Sequence, residues 1–290
     1  MRIVPRHAAT VQVSALRAGD VDLIYLPYRD VEAFVGDSKY NVEIFEGGSV
    51  AYLLAFDLGK SPMDNLNPRP VVANAINPDA INKAVYFNKA TIAKGGMWPV
   101  GAWAYDPTAA RSHYDPAKAR DYLKAGGKPG GFSLDSITWT SQENIPSAEI
   151  VRAQLGQIGI KLNLQVYAVS VATEKFYQGR EAPLFLTGWS RYPEPDWIGS
   201  LNYKSDGYYN VAKLHDARMD ALIEDGASTF DLDKRKAIYR KVDEIVLGEA
   251  WFVPLLYGVN YAAAPKRVMG LNSVFGWDAK MSLHRLWIAK

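Results

Sequence analysis

Two carboxylates two residues apart, Glu194 and Asp196, stand in the run Gly188-Trp189-Ser190-Arg191-Tyr192-Pro193-Glu194-Pro195-Asp196-Trp197. A pair of acids beside tryptophan is the equipment of a glycoside hydrolase, in which one acid protonates the leaving group and the other attacks or activates water. Adjacent acids in a loop are also common without any catalytic role, and sequence alone does not make these two face each other. The same run offers a different chemistry. Trp189, Ser190, Arg191 and Tyr192 combine flat apolar faces, a hydroxyl and a planar cation, which suits recognition of a small polar molecule. A second polar group follows Trp139: Ser141, Gln142 and Asn144 in the loop up to Pro146. Trp98, Trp103 and Tyr105 form a third group, for which core or surface packing is the expectation.

Other chemistries lack their residues. The chain has no cysteine, and its four histidines, His7, His113, His215 and His284, are far apart, so the close spacing of a structural zinc site is missing. The phosphate-cradling patterns GxxxxGK and GxGxxG are absent, as is the GxSxG nucleophile elbow. No cofactor and no metal are expected. With 290 residues, 48% of them hydrophobic, 22% charged and a net charge of +2, the chain has the balance of a globular protein. Acids and bases are interspersed without a basic arm, which argues against a nucleic-acid partner. No apolar run approaches the roughly 20 residues needed to span a bilayer. Met1-Arg2-Ile3-Val4-Pro5 lacks the apolar stretch of a signal peptide.

The candidate loops need elements to hold them, and the sequence punctuates these clearly. Helices are expected from Thr10 to Ala18, from Val71 to Ile76, from Asn77-Pro78 towards Phe87, and from Asp115-Pro116 to Gly126-Gly127. Strands are expected over 20–25, 42–45 and 50–56, the last two around Gly47-Gly48. From Phe132 the order becomes strand (to Thr140), helix (Ser147 to Ile158), strand (160–166), helix (Val171 to Gln178), strand (Pro183 to Gly188). That order predicts an α/β layer with a largely parallel sheet. Both candidate loops then follow strands, where open α/β sheets place their ligands. Helices over 213–226 and 231–247 and strands over 251–257 and 261–264 complete the chain. The charges on the second of these helices read as a solvated face.

Six segments, in order, resemble the dipeptide/oligopeptide/nickel family (family 5) of extracytoplasmic solute-binding proteins. Residues 13–22 (VSALRAGDVD) resemble its "ALxAGEVD" segment, and Pro68 to Ile81 (PRPVVANAINPDAI) its "VRQAINYAIDRDAI". Tyr114 to Gly127 (YDPAKARDYLKAGG) is similar to "YDPxKAKxLLxEAG", and Ala153 to Leu162 (AQLGQIGIKL) to "xQLxKIGIxV". Leu186 to Asp196 (LTGWSRYPEPD) resembles "xxGWxADYPDPD", and Val253 to Tyr257 with Val268 to Gly270 resemble the closing segments.

The resemblance implies a Venus-flytrap architecture of two α/β lobes joined at a hinge, with ligand trapped between them and the closed form docking on the permease subunits of an ABC importer. It implies a binder and not an enzyme, working in the periplasm or elsewhere outside the cytoplasm. It assigns residues 1–52 and 256–290 to the first lobe and 53–255 to the second, with further first-lobe sequence expected ahead of this segment. It places Trp189, Ser190, Arg191 and Tyr192 on the cleft wall; the loop from Trp139 to Pro146, which also follows a strand, is the second candidate wall through Ser141, Gln142 and Asn144, with a solvated turn as the alternative. In the family an acid after the Gly-Trp strand receives a peptide's amino terminus. Here the loop is one residue shorter and Arg191 stands in that place. This departure from the family pattern implies that free-amino dipeptides bind poorly and that an anionic or polyhydroxyl group is favoured at Arg191, the alternative being that Arg191 points to solvent or pairs with Glu194 or Asp196.

Overall fold

The computed structural model describes residues 9–46, 50–65, 68–96, 98, 100–109, 114–190, 194–211, 214–276 and 280–289. Along the chain run α1 (Ala9–Ala18), β1 (Ile24–Tyr25), α2 (Val31–Val35), β2 (Tyr40–Phe45), β3 (Val50–Phe56), α3 (Pro68–Ala75), α4 (Pro78–Val85), β4 (Thr91–Ile92) and α5 (Pro116–Ala125). Then come β5 (Ser133–Trp139), α6 (Asn144–Gly156), β6 (Lys161–Tyr167), α7 (Val169–Tyr177), β7 (Leu184–Trp189) and α8 (Pro195–Ile198). After a π-helical turn, Gly199–Tyr203, the chain closes with α9 (Ala217–Ser228), α10 (Leu232–Gly248), β8 (Phe252–Tyr257), β9 (Asn260–Pro265), β10 (Val268–Met269) and β11 (Trp287–Ile288).

Local chemistry accounts for most boundaries. Asn77 caps α4 through its side-chain oxygen, which accepts from the N–H groups of Asp79 and Ala80. Asp115 does the same for α5 and Asp231 for α10. In each case a side-chain acceptor satisfies backbone donors that the helix itself leaves unpaired. Gly47 and Gly48, expected to turn the chain between β2 and β3, lie outside the described residues.

A six-stranded sheet in the order β4-β8-β3-β7-β5-β6 forms the larger body. It corrects the expectation of a largely parallel sheet. β5 runs parallel to β6 and β7, but β3 pairs antiparallel with β7 and β8, and β8 antiparallel with β4. Alternation within a segment reports that it is a strand, whereas direction depends on how the chain returns, and only the β5–α6–β6–α7–β7 stretch has helical crossovers that keep it.

Both faces of this sheet are covered. On one, Tyr52, Leu54 and Phe56 of β3 join Val72 of α3, Ile81 of α4 and Leu155 of α6. On the other, Leu53 and Ala55 join Phe176 of α7, Ile223 of α9 and Val242 and Val246 of α10. Double coverage explains why 50–56 is apolar throughout and not alternating.

A three-stranded antiparallel sheet, β1-β9-β2, forms the smaller body. Ala263 and Tyr261 face Leu16 and Phe34 of α1 and α2, while Ala262 and Ala264 face Val268, Leu271 and Val274. The chain passes between the two sheets twice, after Phe45 and after Tyr257. The divisions expected at 52 and 255 fall inside β3 and β8, both strands of the larger sheet. Val50 pairs with both Trp189 and Tyr257, so the start of β3 and the ends of β7 and β8 lie together at one end of that sheet.

Candidate functional site

Because β5 and β7 run parallel, their carboxyl ends, Trp139 and Trp189, emerge on the same side. A cavity of about 210 Å³ opens there. Trp139 and Phe185 come from the two strands, Val169, Thr173 and Tyr177 from α7, Thr187 to Ser190 from the end of β7, Asn202 from the π-helical turn, and Tyr209 from the loop beyond it. The cavity thus sits at the strand ends, beside the two passages to the smaller sheet, which is the position the topology of open α/β sheets reserves for ligands.

Aromatic rings frame it. Trp189 packs on Phe252 with ring centroids 4.7 Å apart, Tyr177 on Tyr209 at 4.8 Å, and Trp139 edge-on to Phe185 at 5.5 Å. The Trp189 Nε1–H donates to the Tyr177 hydroxyl at 3.1 Å, which fixes the indole. Thr187 is fully buried and its hydroxyl donates to the Gly188 carbonyl at 3.2 Å, while the Thr173 hydroxyl donates to the Val169 carbonyl at 2.8 Å. Ser190 is exposed at the rim. Behind the wall Tyr203 is completely buried, and burial raises its phenol well above the ordinary value, with the nearby Asp243 adding to the effect.

The expected site residues divide. Trp189 and Ser190 line this cavity. Arg191 and Tyr192 lie outside the described residues. Gln142 lines a different cavity of about 340 Å³, together with Pro27, Tyr28 and Arg29 on the side of the smaller sheet and Phe87, Glu143 and Pro146 on the other. Asn144 lines neither cavity: it is buried in the first turn of α6, which begins earlier than the expected Ser147. The Ser141 hydroxyl oxygen accepts from the N–H groups of Glu143 and Asn144, and Pro146 is tolerated because first-turn N–H groups need no helical partner. Tyr177, Thr187, Asn202 and Tyr209 were not singled out by the sequence. They arrive from separate elements, and the one signal for them is a position near an expected strand end or a tyrosine pair such as Tyr208-Tyr209.

The carboxylate pair is differently employed. One Glu194 oxygen accepts from Arg235 at 3.0 Å and the other faces the Trp103 Nε1–H at 3.4 Å. Arg235 also lies over the Trp103 ring, 4.8 Å from its centroid. Asp196 accepts from the Ser200 hydroxyl at 3.2 Å. Glu194 therefore ties the segment after β7 to α10, and both of its oxygens are engaged. Trp98 is buried edge-on against Tyr239, in the core. Among the described residues, no group of three or more His, Cys, Asp or Glu side chains is placed to hold a metal ion, and no helix is long and apolar enough to cross a membrane.

Residues 1–210 match the model of the bacterial extracellular solute-binding proteins, family 5 middle. The chain belongs to this family. Among its family 5 relatives, heme-binding protein A of Haemophilus influenzae is 31% identical over 284 residues, covering 93% of this chain and 51% of that protein. Di/tripeptide-binding protein 1 of Pseudomonas aeruginosa is 30% identical over 286 residues, covering 92% and 52%. The chain spans about half the length of the curated relatives it matches. Among solved structures, the periplasmic binding protein DppA from Helicobacter pylori in complex with the peptide STSA superposes with a TM-score of 0.86 at 24% identity, over 100% of this chain and 56% of that one. The periplasmic-binding-protein fold implied by the sequence is therefore the fold of this chain.

Proposed function

We infer that this chain supplies one ligand-facing wall and the hinge strands of a non-catalytic solute-binding subunit, which captures a small peptide-like, anionic or polyhydroxyl solute outside the cytoplasm and delivers it to the permease of an ABC importer. The observation that carries the reading is the aromatic cavity at the carboxyl ends of β5 and β7, open beside the two passages to the smaller sheet. In this reading the large sheet and its helices are one lobe, and β1, β2 and β9 with their helices belong to the other. The division then lies at 46–50 and 257–260, where the chain changes sheets. Closure about these two strands buries ligand, and ligand stabilises the closed form through its greater affinity for it. Arg191 and Tyr192 are proposed as ligand contacts on the strength of the family pattern alone. The relatives' names, for heme and for di- and tripeptides, support the breadth of the solute class and not a single ligand. The hydrolase alternative is weakened by Glu194, whose two oxygens are occupied by Arg235 and Trp103.

Calorimetry with panels of dipeptides, organic acids and sugar acids tests the reading. A solute bound by the native protein and at least tenfold more weakly by Trp189→Ala, with the fold intact by circular dichroism, is the expected result. Steady turnover of a peptide or glycoside that Glu194→Gln abolishes would overturn it.

A further inference from the structure

On the solute-binding reading above, the two passages between the bodies, after Phe45 and after Tyr257, act as the hinge. They are neighbours, because β3 and β8 are adjacent strands and Val50 pairs with Tyr257. The line that joins them runs across the strands, in the plane of the large sheet. Rotation about that line carries the small body towards one face of the sheet and away from the other.

The two faces are differently furnished. The cavity beside Trp189 lies on the face covered by α7, α9 and α10, with Val169, Thr173 and Tyr177 of α7 in its lining. The Gln142 cavity lies on the opposite face, between Tyr28 and Arg29 of the small body and Ala84 and Val85 of α4. A rotation that narrows the first widens the second.

On this second face the two bodies are fastened together. Tyr28 packs at once against the core of the small body and against the core under α3, α4 and α6. Its ring meets Tyr86 edge-on at 5.1 Å and Tyr261 at 6.0 Å. Its hydroxyl hydrogen-bonds to the backbone of Val259, in the passage after β8, so Tyr28 sits at the axis as a pivot. The Tyr261 hydroxyl donates to the Lys89 carbonyl at 3.4 Å. Glu32 of α2 forms an ion pair with Lys89, which follows α4. The lysine side chain keeps 26% of its exposure and the carboxylate 76%, so this pair lies at the solvent edge of the contact and not at the pivot.

We propose that Glu32 and Lys89 form a counter-latch on the back of the hinge: their ion pair is made while the cavity beside Trp189 stands open, and it parts as the small body closes over that cavity. The latch raises the open fraction. A solute that needs the closed form is bound more weakly in proportion.

The chain has no cysteine, so Phe230→Cys and Met269→Cys place one spin label on each body. Phe230, in the turn between α9 and α10, and Met269, in β10, are both exposed. Pulsed electron paramagnetic resonance on the labelled full chain, without solute, reads the distance between the labels. Lys89→Met and Glu32→Gln are each expected to raise the short-distance, closed population about two- to fivefold, the strength of an exposed ion pair. Glu32→Lys, which sets two cations together, is expected to raise it further, and adding Lys89→Glu to that variant is expected to restore the native distribution. A contact that only supports the fold would not follow the sign of the charges. Unchanged or longer distances in Lys89→Met, or a swapped pair that behaves like Glu32→Lys alone, would overturn the proposal. Unchanged distances in a protein that binds a solute in the calorimetry above remove the latch alone, whereas failure of the whole solute panel removes the reading on which it rests.

Discussion

Arg180 and Asp57 show how much a single side chain can be asked to hold. Asp57 is fully buried at the end of β3, and Arg180, in the turn before β7, grips both of its oxygens at 2.8 and 2.9 Å. The Gly59 N–H donates to the same carboxylate at 3.0 Å. The two partners are not equally placed, because the arginine side chain keeps 40% of its exposure and the aspartate none. Removing the arginine strands a buried anion, while removing the anion leaves a cation that water can reach. Arg180→Ala is expected to cost about 3–5 kcal/mol. Asp57→Asn is expected to cost less than half of that, since water solvates the released guanidinium. Urea unfolding with an unchanged denaturant slope measures both, and equal losses would refute the asymmetry.

At the scale of elements, the tight turn between α6 and β6 depends on glycine. Gly159 has φ of +86°, and a Cβ there would sit 2.7 Å from the Gly130 carbonyl oxygen. Gly131 answers it with φ of +85°, and a Cβ there would sit 2.0 Å from the Gly159 oxygen. Two backbone segments approach each other so closely that neither tolerates a side chain, and this contact sets β6 beside β5. Gly156, three residues earlier at the end of α6, has open space around it. The two positions are expected to respond with opposite signs. Gly159→Ala loses about 2 kcal/mol or more through strain and backbone clash. Gly156→Ala gains up to about 1 kcal/mol from helix propensity. Thermal unfolding of the two variants side by side checks this, and a stabilised Gly159→Ala protein would show that the contact yields.

At the scale of the whole molecule, stability is unevenly distributed. The large sheet has a core on each face, drawn from helices α3 to α10. The small sheet has three strands, one of them only two residues long, with α1 and α2 on one face and the C-terminal segment on the other. Fewer buried apolar contacts mean a smaller free energy of local opening. Its edge strand β2 has no further strand beside it among the described residues, Val42 and Glu43 being half-buried and Ile44 exposed. Native-state hydrogen exchange is expected to show β1, β2 and β9 opening well before β3, β5 and β7. Equal protection across both sheets would mean that the two bodies unfold as one cooperative unit.

The sequence by itself determined the family, most of the elements and two of the residues that line the cavity. Six segments sufficed for the family, because they stand in the family's order along nearly the whole chain. Asn77-Pro78, Asp115-Pro116 and Gly159 act on their own backbone neighbourhood, and the structure uses each where its chemistry is local. Trp189 and Ser190 were legible for the same reason, as the residues that end an apolar strand. Tertiary structure alone decided the rest. Strand direction in the large sheet follows from where distant segments return, so a parallel expectation gave way to a mixed sheet. The fate of Glu194 depended on Arg235, 41 residues away along the chain, and the cavity drew on Trp139, Tyr177, Asn202 and Tyr209 from four separate stretches. Contacts of that kind are set by how helices pack across a sheet, and no spacing within one element encodes them.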